Sequence, residues 1–170
     1  MCIRDRKIIA AGNIFTGTFE RDGMGGILTL GRNFECRPNK LKGYYKYTSA
    51  KVSVSKGHLN EGEDDLCSLY IALTDEQITV NTNKGIYFDP NSSAVIAYGS
   101  ISDEESKGAD SFKEFTVDLE YKDLKRIPKY IIVVASSSKY GDYMEGGKGS
   151  TMWLDDLELV YPKSMEEVRK

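Results

Sequence analysis

Residues 112–121 admit one regular conformation. Phe115, Val117, Leu119 and Tyr121 fall on one side of a strict alternation, and Glu114, Thr116, Asp118 and Glu120 on the other. Strand side chains point alternately to two faces, so this segment is a strand with one buried face and one wet face. The same signal returns in short pieces divided by turn residues. Residues 14–20 alternate, and Asp22-Gly23-Met24-Gly25-Gly26 turns the chain into a strand at 27–30. Further strands are expected at 44–48, 66–73, 77–80, 94–101 and 152–161. The apolar run at 130–135 reads as a buried strand. Asn81-Thr82-Asn83-Lys84-Gly85 is a turn, and the acidic residues 102–110 form a solvated loop. No helical period is sustained in the body of the chain. Only the polar tail at 162–170, where Ser164 and Glu167 fit a capping box, has room for a short helix.

Composition supports an all-β chain. Eleven tyrosines and six phenylalanines suit pleated, half-buried surfaces, and sixteen glycines supply turns between them. At 170 residues the chain is long enough to bury a two-sheet core in one domain. The expected fold is a β-sandwich jelly roll of two antiparallel sheets at 12–161, after an extension at 1–11 and before the tail. Met1-Cys2-Ile3-Arg4-Asp5-Arg6 is charged where a signal peptide would turn apolar, and reads as foreign to the domain. A formal net charge of -3 without a long basic run lacks the footprint of a nucleic-acid binder. No apolar run approaches the roughly 20 residues that span a bilayer. Cys36 and Cys67 have no metal-ligand spacing and read first as separate buried thiols and second as a disulfide, and a single His58 excludes a His-rich zinc site. Nucleophile elbows, phosphate-cradling loops and Ser-His-Asp patterns are missing.

Four groups of residues carry a family resemblance. They are Gly12-Asn13-Ile14-Phe15-Thr16-Gly17; Leu30-Gly31-Arg32-Asn33-Phe34 with Arg37-Pro38; Leu41-Lys42-Gly43-Tyr44-Tyr45-Lys46-Tyr47; and a closing Ser136-Ser137-Ser138, Gly141-Asp142 and Gly149-Ser150-Thr151-Met152-Trp153-Leu154-Asp155-Asp156-Leu157-Glu158-Leu159. In this order and spacing the chain resembles the putative carbohydrate metabolism domain across residues 12–161. The resemblance implies a galactose-binding-type jelly roll, the C-terminal part of surface or secreted lipoproteins of Bacteroides-like gut bacteria. It implies glycan as the partner, a preceding immunoglobulin-like domain, and an extracellular or outer-membrane location. Membrane contact would run only through a lipid anchor outside this segment. Cys36 departs from the small residue expected in the turn from Phe34 to Arg37.

The candidate site follows from residue chemistry within that frame. A sugar is held by an aromatic ring against its apolar face and by polar groups on its hydroxyls. Tyr45 and Tyr47 read as core residues with satisfied hydroxyls, which leaves Tyr44 for an exposed face. Trp153, the sole tryptophan, is either a sugar platform or a cap on the sandwich edge. Arg37 and Arg32 flank a turn and offer forked donors to vicinal hydroxyls or a uronate. The long polar loop 139–148 is the best place for recognition, with Lys139, Tyr140, Asp142 and Tyr143 forming a glycan-contacting edge beside Arg37 and Tyr44.

Asp155 and Asp156 interrupt the closing strand, and burial of both Leu154 and Leu157 would require a β-bulge there. The pair either tethers backbone or ligates a structural calcium ion. Glu61-Gly62-Glu63-Asp64-Asp65 and Asp103-Glu104-Glu105 read as solvated charge. No acidic pair stands in a motif that demands the two opposed carboxyls of a glycosidase. A noncatalytic carbohydrate-binding module is therefore the leading expectation. A structural or adhesive module without a sugar site comes second, and a glycoside hydrolase third.

Overall fold

A computed structural model describes residues 9–23 and 25–162. The charged N-terminal hexapeptide and the expected cap at Ser164 and Glu167 lie outside the described residues. The strands in chain order are β1 (Asn13–Phe15), β2 (Gly17–Asp22), β3 (Gly25–Leu30), β4 (Arg32–Asn33), β5 (Lys40–Thr48), β6 (Val52–Val54) and β7 (Ser68–Thr74). They continue with β8 (Ile78–Asn81), β9 (Val95–Ser100), β10 (Ala109–Asp118), β11 (Glu120–Tyr121), β12 (Tyr130–Ser136), β13 (Gly146–Gly147) and β14 (Thr151–Val160). One short helix, α1 (Asp103–Ser106), lies between β9 and β10. No helix among the described residues is long and apolar enough to cross a membrane.

The chain is an all-β jelly-roll sandwich whose strands pair antiparallel. The main sheet runs β1-β12-β7-β9-β11, with β4 also on β12, and the second runs β10-β5-β14. Leu69, Ile71 and Leu73 of β7 and Ile131 of β12 face Leu41, Tyr45 and Tyr47 of β5 and Phe115 and Val117 of β10. Each such aliphatic side chain, once buried, stabilises by about 1.5–3 kcal/mol. Tyr45 and Tyr47 are core residues, as expected. The Tyr45 hydroxyl donates to Glu105 O at 2.9 Å and that of Tyr47 to Ser137 O at 3.0 Å. Burial pushes the Tyr45 phenol up to about 12.

A third sheet, β2-β3-β8, adds a layer to the two expected. Leu30 and Val80 from it pack on Ala72 and Ile132, on the far side of the main sheet. The main sheet is thus covered on both faces, which is why β12 reads as an unbroken apolar run. Residues 14–20 do not form one strand. At Thr16 the chain leaves the main sheet: its Oγ1 donates to Ile131 O at 3.0 Å, its N–H donates to Val133 O at 3.0 Å, and its carbonyl accepts from Gly31 N. Residues 102–110 are likewise not all loop. Ser102 Oγ accepts from Glu105 N at 3.2 Å and the Glu105 carboxylate accepts from Ser102 N at 2.9 Å, a complete capping box for α1.

The expected bulge is present in β14. Asp155 pairs with Tyr44 and Glu158 with Lys42, so Asp156 and Leu157 together face Gly43. Asp156 takes a positive φ of 50°. The reason differs from the expected one, because Leu157 is 47% exposed rather than buried. The bulge resets the alternation so that Leu159 packs against the core beyond it. A Cβ on Gly43 would meet Leu157 Cδ2 at 2.9 Å and Asp155 O at 3.0 Å. Gly43→Ala should therefore cost about 1–3 kcal/mol, read as a lower denaturation midpoint at unchanged slope.

Cys36 and Cys67 are both free thiols. Cys67 is buried as expected, and burial pushes its thiol up to about 12. Cys36 is exposed instead, in the turn leading to β5.

Candidate functional site

The loop between β12 and β14 is held by two buried carboxylates. Asp65 reaches it from the segment before β7. Its Oδ2 accepts from Ser138 Oγ at 2.7 Å, Gly147 N at 2.8 Å and Ser150 Oγ at 2.8 Å, while Oδ1 accepts from Leu66 N at 2.8 Å. Asp65 is 1% exposed, so its reading as solvated charge is corrected: a buried carboxylate is tolerable because every oxygen finds donors. Gly146 sits at φ 154°, where a side chain would strike Ser138 Oγ.

Glu145 is the second clamp. Its Oε2 accepts from Lys56 N at 3.0 Å and His58 N at 3.3 Å, and Oε1 accepts from Leu59 N. His58 Nδ1 lies 3.0 Å from Oε2. Burial works to raise this carboxyl, but the backbone donors and His58 outweigh it and hold it below the ordinary value.

These clamps gather the aromatic residues of the loop. His58 stacks on Tyr140 at 4.4 Å between centroids and packs against Tyr143 at 4.3 Å, and Tyr143 meets Tyr87 at 4.1 Å. Sequence reasoning missed His58, Tyr87, Asp65 and Glu145 as members of this cluster. Lys139 leaves it, pairing with Asp103 at 2.9 Å and so tying the loop to α1.

Asp142 points the other way, into a groove between the loop and the third sheet. The groove, about 490 Å³, is walled by Asn13, Phe15, Phe19, Leu28, Met144 and Asp142. Phe19 is 58% exposed there. A narrower recess of about 40 Å³ shares Asn13, Phe15, Leu28 and Asp142 and mixes apolar walls at Leu30, Tyr70, Val80 and Val134 with polar ones at Ser68, Ser136, Ser138 and Lys139. The Asp142 carboxyl has no hydrogen-bond or ion-pair partner among the described residues, and burial raises its pKa above the ordinary 3.8. Among the described residues no second carboxylate stands in either wall.

The other expected contact residues lie elsewhere. Arg37 precedes β5, donates from Nη2 to Arg126 O, and stacks 6.0 Å from the Tyr121 ring. Loop 139–148 adjoins the opposite end of β5, about 26 Å away for eight strand steps. Arg32 is exposed on β4 and donates to Gly17 O at 3.3 Å. Tyr44 and Trp153, each 42% exposed, share the outer face of the second sheet, with Lys46 Nζ 5.0 Å from the Trp153 ring centroid. The groove and this face are on opposite sides of the sandwich. Asp155 Oδ1 accepts from Asp156 N at 2.9 Å, so one of the pair tethers backbone. Both aspartates are exposed, and no cluster of three His, Cys, Asp or Glu side chains able to hold an ion occurs among the described residues.

The sequence model of the putative carbohydrate metabolism domain matches residues 2–160. The chain belongs to that family. Among solved structures, family-like resemblance extends to a putative glycoside hydrolase from Bacteroides thetaiotaomicron, at 25% identity over 91% of this chain and a TM-score of 0.71. A putative glycoside hydrolase from Bacteroides vulgatus is 26% identical over 89% of the chain, with a TM-score of 0.68. The chain spans 48% of the first protein and 64% of the second. No curated protein matches the sequence. This domain is therefore a carbohydrate-metabolism-related β-sandwich.

Proposed function

We propose that this domain is a noncatalytic carbohydrate-binding module that captures glycan for a secreted or surface-anchored protein of glycan utilisation. The observation that carries the reading is the groove at Asp142. It combines a free carboxyl acceptor with exposed apolar walls, the pairing of surfaces by which proteins hold sugars. Clamping by Asp65 and Glu145 holds the loop in place before ligand arrives, which reduces the entropic cost of binding. The family supports carbohydrate as the ligand class. Hydrolysis is the weaker reading, because most glycosidases need a second carboxyl across the cleft and neither wall supplies one among the described residues. Asp65 and Glu145 cannot serve as that partner, being fully buried and engaged with backbone donors.

Retention on immobilised polysaccharide gels, run beside a reducing-end assay, tests the proposal. The wild type should be retarded by at least one glycan and release no reducing ends from it. Asp142→Ala should weaken that retention by about tenfold or more, the worth of a charge-assisted hydrogen bond. Glycan cleavage abolished by Asp142→Asn would replace the binding module with a hydrolase, and a wild type retained by no glycan would end the proposal.

A further inference from the structure

We infer that two copies of this chain join at the open edge of the second sheet, β14 against β14, about a two-fold axis at Trp153. Both sheets end in a free edge on the same side of the sandwich, the main sheet at β1 and the second at β14. On the other side the chain itself crosses from β10 to β11 and closes the gap. Between β1 and β14 a groove of about 320 Å³ is left open, with apolar walls at Ile14, Ala135, Met152 and Leu154. Its polar walls are Asn13, Ser137, Ser150 and Thr151. Two of these are engaged within the chain: Ser150 Oγ donates to Asp65 at 2.8 Å and Thr151 Oγ1 to Gly149 O at 3.0 Å. Ile14 pairs with Ala135, so its side chain shares the inner face with that core residue. It is nevertheless 66% exposed, because the second sheet ends at β14.

The backbone of β14 bonds to β5 and, at Val160, to Asn39; its other edge has no backbone partner among the described residues. Open edges are ordinarily blunted by charge or by a bulge. β14 carries both, but only from Asp155 onward, where the bulge falls and the acids Asp155, Asp156 and Glu158 lie. Thr151-Met152-Trp153-Leu154 is regularly paired and uncharged, and so offers a template for another strand. A second copy of the same edge fits it by charge and by face. Lys148 lies just before the template and the acids just after it. Antiparallel pairing sets the basic start of one edge beside the acidic end of the other at both ends, whereas parallel pairing would set like charges together. A two-fold axis makes the pairing antiparallel. Centred on Trp153, it places Met152 opposite Leu154 of the second copy on the inner face, where the two roof the grooves. The Trp153 rings meet on the outer face, and Asp155 falls opposite Thr151 rather than another acid. Ile14 and Phe15 point to opposite faces of β1, so the pairing leaves the Asp142 groove, which Phe15 walls, open.

Sedimentation velocity on the full chain, from about 5 µM to about 500 µM, tests the pairing, because a small interface of this kind should hold half the chains as dimers at about 100 µM. Trp153 is the sole tryptophan, so its emission should move to shorter wavelength over the same concentrations as the ring leaves water. That readout needs no variant to fold. Ile14→Lys, at a side chain already exposed, should raise the concentration of half-dimerisation about tenfold or more. Lys148→Glu should raise it too, since both ends of the pairing then carry like charge. A wild type that stays monomeric throughout overturns the inference. So does a dimer whose Trp153 emission stays fixed, or one that Ile14→Lys leaves intact, since that dimer forms elsewhere. A monomeric wild type whose residues 150–155 shift when an extended peptide is added gives the edge to a foreign strand and overturns the second copy as its occupant.

Discussion

Asp65→Ala should destabilise the domain by about 2–6 kcal/mol, the sum for two buried amides left without an acceptor. The substitution leaves the N–H groups of Leu66 and Gly147 and the hydroxyls of Ser138 and Ser150 without their acceptor. The two hydroxyls can rotate toward other partners, but the two amides cannot, and each buried orphan costs about 1–3 kcal/mol. Because Gly147 and Ser150 belong to the loop before β14 and Ser138 to the end of β12, the loss loosens the join between the two sheets. Thermal unfolding of the variant should fall by roughly 10 °C or more. Asp65→Asn should lie between wild type and Ala, since an amide oxygen can replace one carboxylate oxygen but its NH₂ confronts the donors of the other. A loss within about 1 kcal/mol for the Ala variant would show that Asp65 is not the anchor of this loop.

Glu145→Gln should cost about 2–4 kcal/mol at neutral pH, and its cost should depend on pH. Glu145 accepts from three backbone amides and faces His58. Glutamine keeps the shape but turns an NH₂ toward groups that themselves donate. The pH dependence has a fixed sign. The folded-state pKa of Glu145 is lowered from 4.5, so its contribution is complete above that value and is lost as pH falls through the lower folded value. Paired unfolding curves of wild type and Gln variant from pH 7 to pH 3 should therefore converge at the acid end. A gap that stays constant across the range would contradict a charged Glu145 as the clamp on residues 56–59.

The sequence made the strands legible because their period is local. The apolar run at 130–135 and the two buried tyrosines of β5 match what the chain builds, and so does the alternation from Phe115 to Val117, but 112–121 is not one strand: at Leu119 the chain passes from β10 of the second sheet to β11 of the main sheet. Where sequence reasoning stopped short, the deciding partner lay far along the chain. Asp65 sits in a run of acids that looks solvated, yet three of its four donors are 73, 82 and 85 residues away. Nothing in Glu61-Gly62-Glu63-Asp64-Asp65 separates the last residue from its neighbours. The exit of the chain from the main sheet at Thr16 is similarly silent, since alternation continues through the change of partner. Ser102-Asp103-Glu104-Glu105 did carry a readable capping-box signal, and the composition of the segment hid it.

The candidate site was half legible. Loop length and its mixture of rings and charges pointed to residues 139–148, and Asp142 in that loop faces the groove. Arg37 and Tyr44 were grouped with it because sequence gives no sense of which end or face of β5 a residue occupies. Phe15, Phe19 and Leu28 were invisible as groove walls, being ordinary strand residues until the third sheet brings Phe19 and Leu28 beside Phe15 of the main sheet. Grooves formed between layers are properties of topology rather than of any one segment.

Amide chemical-shift mapping of the labelled domain, titrated with the glycan that retains it, tests the account most directly. The account predicts shifts concentrated at residues 13–15, 19–28 and 141–144, with Tyr44 and Trp153 unmoved and the glycan recovered intact. Shifts centred on Tyr44, Lys46 and Trp153 would place recognition on the opposite sheet and contradict it.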